Sequence, residues 1–215
     1  FSVNLRRCVS VLGFAALTAV ALQAHALTKP ARTSYTGTPP KSILFVGNSF
    51  TFGALSPVQF WDSDSVTDLN REGIGGMPAF VKAMTAEAGL DYAVLLETHP
   101  GIGIDWHLSN KLATLTAQPY DVVVMHGFSI VDAEKPGDPA KLIDTATRMA
   151  DALRAVNPKV EIRLMATWSR ADQTYPQGRP WFGKPITAMG TDVRAGYDAD
   201  VWYRIGAADE AAGDL

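Results

Sequence analysis

Four short segments of this 215-residue chain gather hydroxyl, amide or imidazole side chains, three of them beside glycine. The first is Gly47-Asn48-Ser49-Phe50-Thr51-Phe52-Gly53, and the second, 97–107, holds Glu97, His99, Gly101, Gly103, Asp105, Trp106 and His107. The others are His126-Gly127-Phe128-Ser129 and Thr167-Trp168-Ser169-Arg170. Each follows an apolar run. A serine on a tight turn out of a strand presents its hydroxyl outward, and N–H groups beside it can hold the oxyanion of an acyl transfer. Ser49 fits that description best. Asn48, Ser49 and Thr51 equally suit turn and cap duties, so residue type alone leaves both readings open.

Other chemistries find less support. Gly101 and Gly103 lack the third glycine of a dinucleotide fingerprint, since position 106 is Trp106, and no Lys-Ser/Thr follows Gly73, Gly75 and Gly76 as a P-loop needs. His99, His107 and His126, with Glu97 and Asp105, lack the spacing of a metal-binding helix, so neither metal nor cofactor is expected. His126, at a strand end, reads as a buried hydrogen-bonded residue or a pocket residue. Trp106, Trp168 and Trp181 are candidates to stack on a substrate ring, although packing is the commoner use of an indole.

The elements that must position these residues follow from the apolar pattern. Ile43-Leu44-Phe45-Val46, the run 92–96, Asp121-Val122-Val123-Val124-Met125 and the run 160–166 predict four strands, the first buried on both faces. Helical spacing predicts helices over 77–88, 106–116, 140–156 and 192–205, with Pro78 in the first turn of one, Gly89 closing it, and Asp192 capping the last. Segments 54–76 and 167–190 read as loops. Strands alternating with helices predict an α/β three-layer sandwich around a parallel sheet. Ligands of such sheets bind beyond the carboxyl ends of the strands, where all four segments lie.

Composition narrows the setting. Hydrophobic residues make up 47% and charged residues 19%, a globular balance. A net charge of -3 gives no basic footprint for nucleic acid. Arg6 and Arg7, an apolar stretch from Cys8 and the small-x-small run Ala24-His25-Ala26 predict a signal peptide over 1–26, with a retained anchor as the alternative. Its removal takes away two Arg and no acid, so 19 basic residues become 17 against 22 acidic ones. It also removes Cys8, the single cysteine, which suits an oxidising compartment. No stable membrane insertion is expected after cleavage. Residues 27–41, with Pro30, Pro39 and Pro40, read as an extended leader into a domain over 42–215.

The run Ile43-Leu44-Phe45-Val46-Gly47-Asn48-Ser49-Phe50-Thr51 resembles block I of the SGNH/GDSL hydrolases, in a Gly-Asn-Ser-Phe-Thr variant. The resemblance implies a flavodoxin-like α/β/α sandwich whose nucleophilic serine, here Ser49, follows the first strand. The α/β-hydrolases instead carry Gly-x-Ser-x-Gly later in the sheet, and Thr51 stands where their second glycine would. Gly103 is similar to the block II glycine, whose N–H joins that of Ser49 in the oxyanion hole. Gly127-Phe128-Ser129 takes the place of block III, Gly-x-Asn, so Ser129 or His126 would be the third oxyanion donor. Asn48, Trp106 and His126 are expected to touch substrate. No histidine after His126 supplies the Asp-x-x-His of block V. The expectation is therefore that the catalytic Asp and His, and a last strand, lie beyond Leu215, with the chain continuing past both ends of this sequence. The resemblance implies a secreted or periplasmic serine esterase, cleaving small-molecule or carbohydrate O-acyl esters. A non-catalytic glycan-binding module on the same fold is the alternative, and a metal-dependent hydrolase built on the three later histidines a remote third.

Overall fold

A computed structural model describes residues 42–90 and 92–198. The expected signal peptide, the leader and the end of the last expected helix lie outside the described residues, as does any strand after that helix.

Five strands form one sheet: β1 (Ser42–Gly47), β2 (Thr67–Asp68), β3 (Ala93–Thr98), β4 (Val122–Met125) and β5 (Glu161–Leu164). Their order is β2-β3-β1-β4-β5, and every pairing is parallel. Strand β1 lies at the centre, with Leu44 in register with Leu95 of β3 and Val123 of β4. Its apolar run buries both faces, as a central parallel strand must.

Alternation divides the strands between two cores. Ile43, Phe45, Val94 and Leu96 pack with Phe52 of helix α1 (Ser49–Phe52) and Val81 of α2 (Gly76–Glu87). On the opposite face, Leu44, Val46, Val123, Met125 and Ile162 pack with three further helices. These are α3 (Ile104–Asn110), α5 (Ala140–Val156) and α7 (Thr187–Gly196), through Ile104, Leu142, Met149, Met189 and Val193. The short α4 (Leu112–Leu115) adds Leu115 to the same core. The three-layer sandwich is thus the expected one. Burial of each Leu or Met contributes about 1.5–3 kcal/mol, so α5 alone supplies much of what holds its layer.

Several local expectations change. Segment 54–76 contains β2, an edge strand of two residues, too short to show periodicity. It is held by Asp68, whose carboxylate accepts the N–H groups of Asn70, Glu72 and Ile74. The helix expected over 106–116 is two pieces, broken at Lys111, whose side chain reaches Asn70. Helix α7 begins at Thr187, so Asp192 is no cap; its carboxylate instead accepts from the buried Trp181 indole at 2.7 Å. That bond and 2% exposure make Trp181 a core residue, not a platform for a ring. A short helix, α6 (Ala171–Thr174), interrupts the segment expected to be loop. Strand β3 runs to Thr98, which places Glu97 inside the sheet.

Candidate functional site

The carboxyl edge of the sheet is tied together by one amide. Asn48 leaves β1 in an extended conformation and caps α1, its Oδ1 accepting the Phe50 N–H at 3.2 Å. Its Nδ2 donates to the carbonyls of Ile102, at 2.7 Å, and Gly127, at 3.2 Å. The turn after β1, the loop after β3 and the loop after β4 therefore meet at a single side chain. Asn48 is 2% exposed and its amide is fully engaged. This corrects the expectation that it touches substrate: it is a strut.

His126 is corrected in the same way. Its Nδ1 lies 2.9 Å from the Gly127 carbonyl, so that nitrogen carries the hydrogen. Nε2 is then the acceptor, taking the Thr51 hydroxyl at 2.7 Å and the Asn48 N–H at 3.4 Å. The ring is 1% exposed, and burial, aided by the positive field of His107 and opposed by the Gly127 bond, pushes its pKa down to about 4. A neutral imidazole with both nitrogens spent neither binds substrate nor serves as an oxyanion donor. Gly47 makes this pair possible: a side chain there would overlap Thr51 Oγ1 and His126 Nε2.

A second buried pair stands behind the turn. Glu97, the last acidic residue of β3, touches His107 Nδ1 with its Oε2, and both side chains are fully buried. His107 Nε2 lies 3.0 Å from the Gly47 carbonyl. Both ring nitrogens thus face oxygen atoms, so the Glu97 carboxylate and the Gly47 carbonyl hold the ring between them. Asn70 donates to Glu97 Oε1 at 3.0 Å, and Lys111 stands 3.8 Å from it. Burial alone would raise the Glu97 pKa. The bonds and charges of His107, Asn70 and Lys111 outweigh it and hold the carboxyl below its usual range. Sequence reasoning missed this pair. The available signal was an acid ending an apolar strand, which needs a buried partner.

Ser49 differs from its neighbours. It is half-buried, the first residue of α1, and its hydroxyl has no hydrogen-bond partner among the described residues. Its N–H and that of Gly103 likewise meet no protein acceptor there. Gly103 is buried, and a Cβ on it would stand 2.7 Å from Asp105 Oδ1 and 3.2 Å from the Phe128 N. Asn48, bonded to Ile102 and Gly127, thus gathers Ser49, Gly103 and the segment leading to Ser129 at one edge. Ser129 is 4% exposed; its Oγ accepts from Arg170 Nη1 at 2.8 Å, and its carbonyl accepts from the Thr167 hydroxyl at 2.9 Å.

Aromatic rings border this edge. Phe50 meets the exposed Trp168 edge-on at 4.4 Å between centroids. Trp106 is half-buried and stacks on His99 at 4.4 Å with 6° between planes. A cavity of about 190 Å³ opens beside Gly103 between Trp106, Phe128, Val131, Asp132 and Leu142; Ser49 does not line it. Among the described residues, no three His, Cys, Asp or Glu side chains are gathered to hold a metal.

No protein-family model and no curated protein matches the chain. Solved structures do. AlinE4, an SGNH-hydrolase family esterase, aligns over 84% of this chain and 82% of its own at 14% identity, with a TM-score of 0.52. TesA aligns over 77% of this chain and 74% of its own at 19% identity, with a TM-score of 0.50. A family 3 carbohydrate esterase of Clostridium thermocellum aligns over 72% and 69% at 16% identity, with a TM-score of 0.45. The fold of this chain is that of the SGNH hydrolases.

Proposed function

We propose that the protein is an exported serine hydrolase, an esterase that cleaves acyl esters of small molecules or carbohydrates with Ser49 as nucleophile. The observation that carries this reading is the contrast within one turn: Asn48 and Thr51 are buried and spent, while the Ser49 hydroxyl between them is half-buried and unclaimed. The Ser49 Oγ attacks the acyl carbonyl and its proton passes to a base. The oxyanion that forms is received by the N–H groups of Ser49 and Gly103 and by the Ser129 hydroxyl. Collapse expels the alcohol, which takes the proton back; water then cleaves the acyl-serine by the reverse route. His107 and His126 are committed elsewhere and the His99 ring lies flat on Trp106, so we assign the base and its orienting acid to residues outside the described ones. The cavity beside Gly103 has room for a short acyl group or one sugar ring.

A glycan-binding module without catalysis is the second reading, favoured by the exposed Trp168 ring against Phe50. One experiment separates the two. In the complete protein, Ser49→Ala should lower ester turnover by at least about 10³-fold, as loss of a serine nucleophile does elsewhere. It should leave stability within about 0.5 kcal/mol, since no bond is removed and Asn48 is the cap. A fluorophosphonate should modify Ser49. Wild-type turnover in Ser49→Ala, or an adduct found on Ser129 or Ser169, refutes the assignment; glycan binding with no turnover in either protein supports the module.

A further inference from the structure

Ser129 stands where the resemblance expects an asparagine, and a lone serine hydroxyl is a poor substitute for an amide donor. A hydroxyl has one hydrogen and two lone pairs, and its rotation is free unless a neighbour sets it. Arg170 is such a neighbour. Its guanidinium has donors only, so the 2.8 Å contact from Nη1 makes Ser129 Oγ the acceptor and turns the Ser129 hydrogen toward another partner. No such partner exists among the described residues. The Ser129 backbone is fixed as well, through the bond from Thr167 to its carbonyl.

Arg170 is itself held in a fork. Nε donates to Asp172 Oδ1 at 3.0 Å and Nη2 to Oδ2 at 2.7 Å, which leaves Nη1 for Ser129. Gln173 Nε2 adds a bond to Asp172 Oδ2 at 2.9 Å. Two parallel bonds to a carboxylate fix the plane of a guanidinium, not merely its charge. Desolvation alone would raise the Asp172 pKa, but the bonds from Arg170 and Gln173 outweigh it and hold the carboxyl low, so the fork stays charged at neutral pH.

The geometry points to Arg170 as a positioning residue for the Ser129 hydroxyl, with Asp172 orienting Arg170. Together the three would make a serine into a directed, cation-polarised oxyanion donor. A cation donating to an O–H oxygen draws charge from it and strengthens the hydrogen bond its own hydrogen makes. This inference rests on the hydrolase reading and adds to it the means by which the third donor works.

The test is a double-mutant cycle in the complete protein, with p-nitrophenyl acetate as substrate and melting temperature as a check on folding. Ser129→Ala should lower kcat by about 10²–10³-fold, the loss typical of one oxyanion donor. Arg170→Met should lower kcat by roughly tenfold or more and leave KM within about twofold, as expected of an interaction made only in the transition state. In the Ser129→Ala background, Arg170→Met should then cost less than about twofold, because a residue that acts through Ser129 has nothing left to act on. Arg170→Lys, which can reach one partner but cannot fork, should restore only part of kcat. Asp172 is exposed, so Asp172→Asn should fold normally, and it should lower kcat less than Arg170→Met does. Losses for Arg170→Met and Ser129→Ala that multiply, or unchanged kcat in Arg170→Met and Asp172→Asn while Ser49 is essential, overturn the relay alone. Absence of turnover in the wild type, or full turnover in Ser49→Ala, overturns the hydrolase reading and the relay with it.

Discussion

Gly47→Ala is the substitution for which space, not backbone conformation, sets the outcome. Gly47 does not adopt a left-handed conformation, and alanine for glycine inside a strand normally gains about 0.5–1 kcal/mol. Here the new methyl would overlap Thr51 Oγ1 and His126 Nε2 and stand 2.8 Å from His126 Cδ2. Neither neighbour yields cheaply. Thr51 is β-branched, 2% exposed and part of α1, and His126 is 1% exposed at the end of β4. Relief requires the 2.7 Å Thr51–His126 bond to open. Overpacking costs about 1–3 kcal/mol. Each buried polar group left unpaired costs about 1–3 kcal/mol more, with His126 partly served by the Asn48 N–H. The net is a loss of about 3–6 kcal/mol, a large share of the roughly 5–15 kcal/mol that holds a domain. Melting should fall by about 6–24 °C at the ~2–4 °C per kcal/mol of a domain this size. The assay is urea unfolding with a thermal melt, using Thr51→Val as the comparison: it removes the same bond without adding a methyl to the turn. Gly47→Ala should be the more damaging of the two. A Gly47→Ala protein within about 1 kcal/mol of wild type refutes the argument from close approach.

Two further outcomes are expected. His126 is neutral in the fold, with its pKa at about 4, and returns to about 6.5 on unfolding, where the chain takes up the proton the fold refuses. Its share of stability is therefore complete above pH 6.5 and is lost as pH falls from 6.5 toward 4, about 2 kcal/mol of it by pH 5; urea midpoints that do not fall between pH 7.5 and 5, or fall equally in His126→Asn, contradict this. Export predicts a mature N-terminus near Leu27, and sequencing of secreted material that returned residues before Ala24 would exclude cleavage after Ala26.

Strand positions were legible where burial on both faces forces an unbroken apolar run. Ile43 to Val46 and the Val122–Met125 stretch need no partner to be recognised, and α5 shows its face in its own spacing. Elements defined by a contact were not. Strand β2 exists because Thr67 pairs with Leu95 and because Asp68 gathers three N–H groups. The break between α3 and α4 falls where Lys111 turns toward Asn70, and neither position carries a glycine or proline to announce it.

The same division runs through the candidate site. The turn of the proposed nucleophile has local needs: a glycine that admits close neighbours, then an amide that caps the next helix, then the serine. All fall within three consecutive residues, so Ser49 could be proposed from the chain alone. What Asn48 and His126 do depends on groups far away in sequence. The amide of Asn48 is consumed by carbonyls 54 and 79 positions on, and the ring of His126 by a hydroxyl 75 positions back. Both are polar residues at strand ends, and residue type cannot say whether such a group faces the ligand or the scaffold. Hydrogen bonding decides it: the Asn48 amide and both His126 ring nitrogens are taken by the scaffold and have nothing left to offer. Ser129 shows the reverse. Taken alone, its hydroxyl is an inferior replacement for an asparagine, and only the guanidinium 41 residues away gives that hydroxyl a direction. If Ser129 is the third oxyanion donor, as proposed, Arg170 has a clear use: a donor of fixed orientation costs less to align with a developing charge than one that must be ordered during the reaction.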